Sequence, residues 1–291
     1  MKAFELTEEQ RNDLYFKNFD GTIKIDGFVF SDYKGNTAMR ISNTQEERPK
    51  RRTERTIEEH VKFINENNVE RVDVFTESIE FLKECPGIKA ASVYVPLCVE
   101  KEFDFSPLYE MENLEALDCG AESLAGAPRV NKFFVDFTKM KHIKQIRISL
   151  INFRRGTGFQ KVKDLELLRI SSYKESDLHP THSPKTESVE ALCISGCPKV
   201  KDFSVLEKLV NLRHLELTGR NEISSLSFLN QMPQIQTFLF SVNSKCLRFT
   251  SFSNTEKSFT FGHPLIQSAS TVDEYYGWGN KFELPSEYML Y

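Results

Sequence analysis

The clearest pattern along the 291-residue chain is a set of three apolar positions, spaced apolar-x-x-apolar-x-apolar, that recurs eight times. The last two apolar positions lie two residues apart, which is typical of a strand with one buried face. The copies start 19 to 29 residues apart, at Val69, Ile88, Leu114, Ile143, Leu165, Val189, Leu212 and Ile235. The pattern therefore predicts eight short strands.

The residues before each strand follow a different period. Five of the eight copies carry apolar residues nine, six and three positions upstream, such as Phe105, Leu108 and Met111 before Leu114. A three-residue period favours a short 3₁₀ or α turn with one buried edge. Neither a strand nor a turn of this kind can bury its apolar edge alone, so the units must stack on their neighbours. The sequence predicts a curved repeat solenoid.

One copy of the repeat is close to a known consensus. Leu212-Arg213-His214-Leu215-Glu216-Leu217 resembles the leucine-rich repeat, and the preceding residues, Asp202 to Asn211, look like the 22-residue class found in bacterial internalins. The resemblance covers roughly residues 57–247. It implies an α/β solenoid with a parallel sheet on the concave face, short 3₁₀ or α turns on the convex face, and a cap at each end.

The flanks of the array can supply these caps, because a solenoid exposes an apolar edge at each terminus. Thr56 and Glu59 form a capping-box pattern that predicts a helix over about residues 57–67. Upstream, Asp26-Gly27 indicates a hairpin turn. We therefore divide the chain into an N-terminal β-containing cap (1–55), the repeat array including the capping helix (56–247), and an aromatic-rich C-terminal cap (248–291).

Composition narrows the class of protein further. The 38 Lys and Arg against 42 Asp and Glu give a net charge of −4, which excludes a strongly cationic nucleic-acid binder. The N-terminal residues carry acids where a signal peptide needs an apolar stretch, and no apolar run approaches the roughly 20 residues of a membrane span. We expect a cytosolic protein whose six scattered cysteines are reduced core residues.

Metal-ligand residue types occur together at one place. Asp177, His179 and His182 lie at short spacing, but Pro180 and Pro184 make the segment an irregular loop. A metal site needs three or four converging ligands on a rigid frame. We expect a solvated loop, and no catalytic residue, cofactor or metal. A metal-dependent enzyme or effector using this loop remains the alternative hypothesis.

Three other motifs have a structural interpretation. Cys193 and Cys197 form an isolated C-x₃-C, and Cys193 should fall on the exposed side of its strand. Gly156-Thr157-Gly158 lacks the Lys-Ser/Thr ending of a phosphate-binding loop and indicates a turn. The basic run over residues 48–55 favours a solvated linker, with nucleic-acid contact as the alternative.

The resemblance implies that the variable residues of each strand point outward on the concave face and bind a protein partner there. Adaptor, immunity and effector roles stay open, as does the oligomeric state. From the outward positions we derive nine candidate partner-binding residues. They are Arg147, Arg169, Leu167, Gln145, Asp118, Glu216, His214, Tyr94 and Phe75.

Two of these candidates stand out by charge. Arg147 and Arg169 occupy equivalent positions of successive strands, so they should lie about 4.8 Å apart. Like charges side by side are destabilising, and an acidic patch on a partner would relieve them. The alternative is neutralisation within the array by Glu166, Glu190 or Asp118.

Overall fold

The computed structural model describes most of the chain, and its residues form two compact units that we consider separately. It describes residues 2–17, 21–33, 36–45, 47, 49–96, 98–99, 103–121, 135–149, 156–158, 162–171, 188–195, 200, 202–219, 227–242 and 258–261. Unit 1 comprises the described residues up to 143, together with 156 and 157. Unit 2 comprises 144–149 and the described residues from 158 onward.

Unit 1 begins with a helix and a small antiparallel sheet. Helix α1 (Glu8–Lys17) precedes strands β1 (Thr22–Ile25), β2 (Phe28–Tyr33) and β3 (Asn36–Ser42). Strands β1 and β2 pair antiparallel, as do β2 and β3. Asp26 and Gly27 connect β1 to β2 with φ angles of 50° and 84°, the left-handed pair that a type I′ turn requires. The predicted hairpin turn is confirmed.

Helix α2 (Ile57–Asn67) follows a 3₁₀ turn at Pro49–Arg51 and has the predicted capping box. The Glu59 amide donates to Thr56 Oγ1 at 3.2 Å, and the Thr56 amide donates to Glu59 Oε2 at 2.8 Å. The helix ends at Asn68, whose φ of 54° stops further helical bonding. Phe63 on this helix packs against the rings of Phe28 and Phe4. The helix prediction is confirmed.

Parallel pairing begins after α2. Strand β4 (Arg71–Phe75) pairs parallel with β3, and β5 (Ala90–Val95) and β6 (Ala116–Ala121) follow in the same direction. The connections contain a 3₁₀ turn at Glu80–Glu84 and the single-turn helix α3 (Ser106–Tyr109). Strand β7 (Val135–Asp136) precedes a 3₁₀ turn at Phe137–Lys139 and pairs with β9 (Gly156–Thr157). The predicted turn at Gly156-Thr157 is therefore wrong, since both residues lie in a short strand.

Unit 2 is a run of parallel strands. It contains β8 (Gln145–Ser149), β10 (Leu167–Ser171), β11 (Ala191–Ser195), β12 (His214–Gly219), β13 (Thr237–Val242) and β14 (Ser258–Phe261). Each pairs in parallel with the next in this order. The described connections include 3₁₀ turns at Ser204–Lys208 and Ser227–Gln231. Strand β14 continues the parallel sheet beyond 247, the boundary that the repeat pattern predicted for the array.

Each predicted strand is present, and the apolar residues of the repeat are buried wherever the structure describes their side chains. In β12, for example, Leu215 and Leu217 are buried together with Leu212 at the start of the motif. Within each unit, the parallel strands are joined by short 3₁₀ or α turns in several of the connections that the structure describes. The predicted α/β leucine-rich repeat architecture is confirmed.

Three of the turns share a triplet, Asp-Phe-Ser or Asp-Phe-Thr, whose polar residues are not part of the apolar pattern. The aspartates of three turns accept a hydrogen bond from the backbone amide two residues on: Asp104 from Ser106 at 2.8 Å, Asp136 from Thr138 at 3.1 Å, and Asp202 from Ser204 at 2.8 Å. The hydrogen bonds from the backbone amide and side chain of Ser204 lower the pKa of Asp202. The central phenylalanine of each triplet is buried. The aspartate thus fixes the turn that inserts a phenylalanine into the core.

Successive repeats are joined by polar side chains directly before the strands. The Asn113 side chain donates to the Pro86 carbonyl at 2.9 Å, Ser188 to the Lys163 carbonyl at 2.8 Å, and Gln234 to the Leu209 carbonyl at 3.1 Å. Each bond satisfies a carbonyl in the turn of the preceding repeat. These side chains therefore align neighbouring turns.

Among the described residues of the basic run, Lys50 is exposed as a solvated linker predicts, but Arg52 and Arg55 make internal contacts, which corrects our prediction in part. Arg52 donates to the backbone carbonyls of Glu47 at 2.7 Å and Gln45 at 2.6 Å. Arg55 donates to the Asp26 carbonyl at 2.7 Å, and its guanidinium lies 5.4 Å from the centre of the Phe28 ring. A guanidinium with five donors can cap several carbonyls at once. These two arginines thus hold the hairpin and the chain before α2 together.

The cysteines follow the core interpretation only in part. Cys85 and Cys119 are buried in unit 1, as predicted, whereas Cys98 is exposed, so the core prediction is wrong there. Cys197 and Cys246 lie outside the described residues. Within the part of the chain that the structure describes, no helix has the length and apolar character of a membrane span.

Candidate protein-binding face

The strand register of unit 2 places the two predicted arginines side by side. Arg147 on β8 is opposite Arg169 on β10, which is opposite Cys193 on β11, and Cys193 is opposite Glu216 on β12. We call these four residues the charged row. The prediction that Arg147 and Arg169 are lateral neighbours is confirmed.

The side chain of Arg169 crosses strand β11 to reach an acidic partner on β12. Its Nη2 lies 3.2 Å from Glu216 Oε2, on the far side of β11, and 3.6 Å from the Cys193 sulfur. Glu216 is not one of the three acids that the sequence indicated for this role. The side chains of Arg169 and Glu216 are 30% and 18% exposed, so the ion pair is in contact with water.

Cys193 lies beneath this ion pair. It occupies the same register position as the arginines, as predicted, but only 2% of its surface is exposed. The exposure that the sequence predicted is therefore wrong, because the side chains of Arg169 and Glu216 meet across β11. Burial raises the pKa of Cys193 to about 12, although Arg169 acts in the opposite direction. The thiol is protonated and unreactive in this arrangement.

The other candidates on unit 2 are buried rather than exposed. They are Gln145, Leu167 and His214, which lie two residues before the charged row on their strands. His214 Nδ1 is 2.7 Å from Thr237 Oγ1 on the neighbouring strand. Their burial removes them from the surface that a partner can reach.

A row of hydroxyl residues lies on the other side of the charged row. Two residues further along each strand, the register aligns Ser149, Ser171, Ser195, Thr218 and Ser241. Among them, Thr218 donates to Glu216 Oε1 at 3.5 Å. Thr218 thus flanks Glu216 with a hydroxyl in the strand direction.

The remaining candidates belong to unit 1, where the charges have partners from other strands. Tyr94 is half-buried and donates its hydroxyl to Asp118 Oδ2 at 2.8 Å, and Asp118 itself is buried. Phe75 is buried as well. Asp73, on β4, accepts a hydrogen bond from Ser31 at 2.9 Å. These contacts indicate a structural role for Tyr94, Asp118 and Asp73.

The metal hypothesis concerned a segment outside the described residues, since Asp177, His179 and His182 all fall there. Among the residues that the structure does describe, no group of three His, Cys, Asp or Glu side chains could hold a metal ion. The described part of the chain therefore presents a polar, partly charged sheet face as its candidate site.

Comparisons with known proteins find similar architectures at low identity. No protein-family profile and no curated protein matches the chain. Among solved structures, an internalin from Listeria monocytogenes is 12% identical, over 62% of this chain and 60% of that one, with a TM-score of 0.32. A leucine-rich repeat protein from Leptospira interrogans is 11% identical, over 68% of this chain and 69% of that one, with a TM-score of 0.26.

A third similar structure is that of PEPR1-AtPEP1, which is 12% identical over 84% of this chain and 47% of that one, with a TM-score of 0.24. The present chain thus spans less than two thirds of the length of the Listeria protein and less than half of the chain in the PEPR1-AtPEP1 structure. At such low TM-scores, we rest the fold assignment on strand direction and register alone.

Proposed function

We propose that the chain is a non-catalytic protein-protein recognition module of the leucine-rich repeat type, which binds an acidic protein partner on the sheet face of unit 2. The observation that carries this proposal is the adjacency of Arg147 and Arg169 in register, with both side chains half-buried on that face. Like charges directly opposite each other destabilise a sheet, so the position has a cost that a partner's carboxylates offset.

The chemistry of arginine supports an acidic protein surface as the partner. Its planar guanidinium binds carboxylates through two parallel hydrogen bonds. Arginine is also enriched among the residues that contribute most of the binding energy at protein interfaces. The net charge of −4 disfavours nucleic acid, and Arg52 and Arg55 of the basic run are engaged in internal contacts. As a finer part of this proposal, the module acts as a cytosolic bacterial adaptor or inhibitory protein, such as an immunity protein.

The test is a double charge reversal on this face. Arg147→Glu/Arg169→Glu and wild type serve as bait in a lysate of the source organism, and captured proteins are identified by mass spectrometry and then titrated as purified proteins. The matched control is Lys208→Glu/Arg213→Glu, which changes the net charge equally at two exposed residues of the same unit. We expect the first variant to lose the partner at least tenfold, about 1.4 kcal/mol or more, and the control to keep it.

Circular dichroism establishes that both variants are folded before binding is compared. If a purified partner binds wild type and both variants equally, Arg147 and Arg169 are structural residues and the proposal is wrong. Equal loss in both variants would instead indicate a dependence on net charge alone.

A further inference from the structure

The guanidinium of Arg169, to which an acidic partner would bind, already forms an ion pair with Glu216. Arg169 Nη2 lies 3.2 Å from Glu216 Oε2, and this contact crosses the intervening strand above Cys193. We propose that Glu216 is an internal competitor: its carboxylate holds Arg169 in the free protein and is exchanged for a partner's carboxylate on binding. This inference rests on the proposed function, and it assigns Glu216 the opposite role from a partner contact.

The geometry makes this exchange possible. Both side chains are partly exposed, and exposed ion pairs contribute little net stability because water solvates the separated charges well. A carboxylate from outside can therefore approach Arg169 without opening the core. The second oxygen of Glu216 is already 3.5 Å from the Thr218 hydroxyl, which remains available as a donor after Arg169 has been released.

Removing the competitor should strengthen binding of an acidic segment. In Glu216→Gln, the amide keeps the shape of the side chain but no longer holds the guanidinium by charge. The effect should be absent when Arg169 is replaced by Gln, because nothing is then left to compete for. A residue that simply contacts a partner would give the opposite sign, or would act independently of Arg169.

The first experiment measures binding of fluorescein-labelled hexaglutamate by fluorescence anisotropy at low salt. We expect Glu216→Gln to bind about tenfold more tightly than wild type. The matched control is Glu190→Gln, which removes the same charge immediately before the neighbouring strand β11, and should change binding by less than about twofold. In the Arg169→Gln background, Glu216→Gln should give no comparable gain.

The second experiment uses Cys193 as a reporter of the ion pair without any partner. Iodoacetamide labelling is followed by mass spectrometry, with fragment ions that separate Cys193 from Cys197. We expect Cys193 to be labelled several-fold faster in Glu216→Gln than in wild type, because Arg169 is no longer held across it. Cys85 and Cys119, both buried in unit 1, should keep their wild-type rates and so exclude general unfolding.

The outcomes separate this inference from the proposed function. Unchanged or weaker hexaglutamate binding by Glu216→Gln overturns the competitor role, and so does an equal gain in Glu190→Gln. Unchanged labelling of Cys193 also counts against it. If the Arg147→Glu/Arg169→Glu variant still loses its protein partner in these cases, the proposed function stands alone. If wild type and Glu216→Gln both fail to bind hexaglutamate, and no partner depends on the arginines, both proposals fail.

Discussion

The two units carry the same grid of parallel strands but arrange charge on it differently. In unit 1, the register places Arg40 opposite Asp73, and a neutral residue, Ser92, separates Asp73 from Asp118. In unit 2, Arg147 is opposite Arg169, and a neutral residue, Cys193, separates Arg169 from Glu216. Opposite charges are thus neighbours in unit 1, whereas like charges are neighbours in unit 2.

This difference indicates that charged residues can stabilise the sheet in one unit and serve recognition in the other. Charges that face an opposite charge on the adjacent strand, or that accept a hydrogen bond from a half-buried hydroxyl, stabilise the sheet. In our proposal, the partly exposed Arg169–Glu216 pair provides less stability but can exchange Glu216 for a partner's carboxylate. We therefore expect polar substitutions to affect folding mainly in unit 1 and recognition mainly in unit 2.

The largest expected effect concerns the core of each unit. Phe105→Ala in unit 1 and Phe203→Ala in unit 2 each remove a buried phenylalanine from an equivalent turn. Each should cost about 3–5 kcal/mol of unfolding free energy in urea. Because repeats contact mainly their neighbours, hydrogen exchange should show the loss of protection in the mutated unit. Equal loss of protection in both units would show that they unfold together.

A smaller effect should separate the polar contacts of the two units. Tyr94→Phe leaves the buried Asp118 without the hydroxyl that donates to it at 2.8 Å, which should cost about 1.5–3 kcal/mol. Glu216→Gln breaks a partly exposed ion pair and should cost about 1 kcal/mol or less. Urea titrations of the two variants against wild type measure both values. If the second cost equals the first, the Arg169–Glu216 pair is a structural contact like those of unit 1.

The smallest effect is a pH dependence that arises in unit 1. His60 is buried in helix α2, with Nδ1 2.6 Å from the Thr56 carbonyl and Nε2 3.0 Å from Thr53 Oγ1. Burial lowers the pKa of His60 below its ordinary value of 6.5. The unfolded chain therefore binds this proton at a higher pH than the folded one, and the free energy of unfolding should fall as pH decreases below about 6.5.

Urea titrations at several values between pH 5 and 7.5 measure this slope. Glu59 precedes His60, but its pKa is also lowered, from 4.5, so its own contribution is lost only at lower pH. In His60→Asn, the side-chain amide can still donate to the Thr56 carbonyl but does not titrate, so the slope between pH 5 and 7 should decrease. An unchanged slope in this variant would assign the pH dependence to other groups.

Much of the fold could be predicted because its signals are local. Residues such as Ile146 and Ile148 lie two positions apart on one strand, and both are buried in the same core. Thr56 and Glu59 indicate the start of α2 because they form a capping box within four residues. The Asp-Phe-Ser/Thr triplet was equally visible in the sequence at residues 104–106, 136–138 and 202–204, and a search for polar residues at fixed offsets would have found it.

Only those features of the candidate site that follow from strand register could be predicted. The repeat spacing by itself determined that Arg147, Arg169, Cys193 and Glu216 share one row, because residues at equal positions of stacked repeats must become lateral neighbours. Only the tertiary structure decided that Arg169 reaches Glu216, 47 residues away, and thereby buries Cys193. The physical reason is that register fixes the backbone, whereas contacts between long side chains two strands apart depend on how those side chains extend across the strand between them.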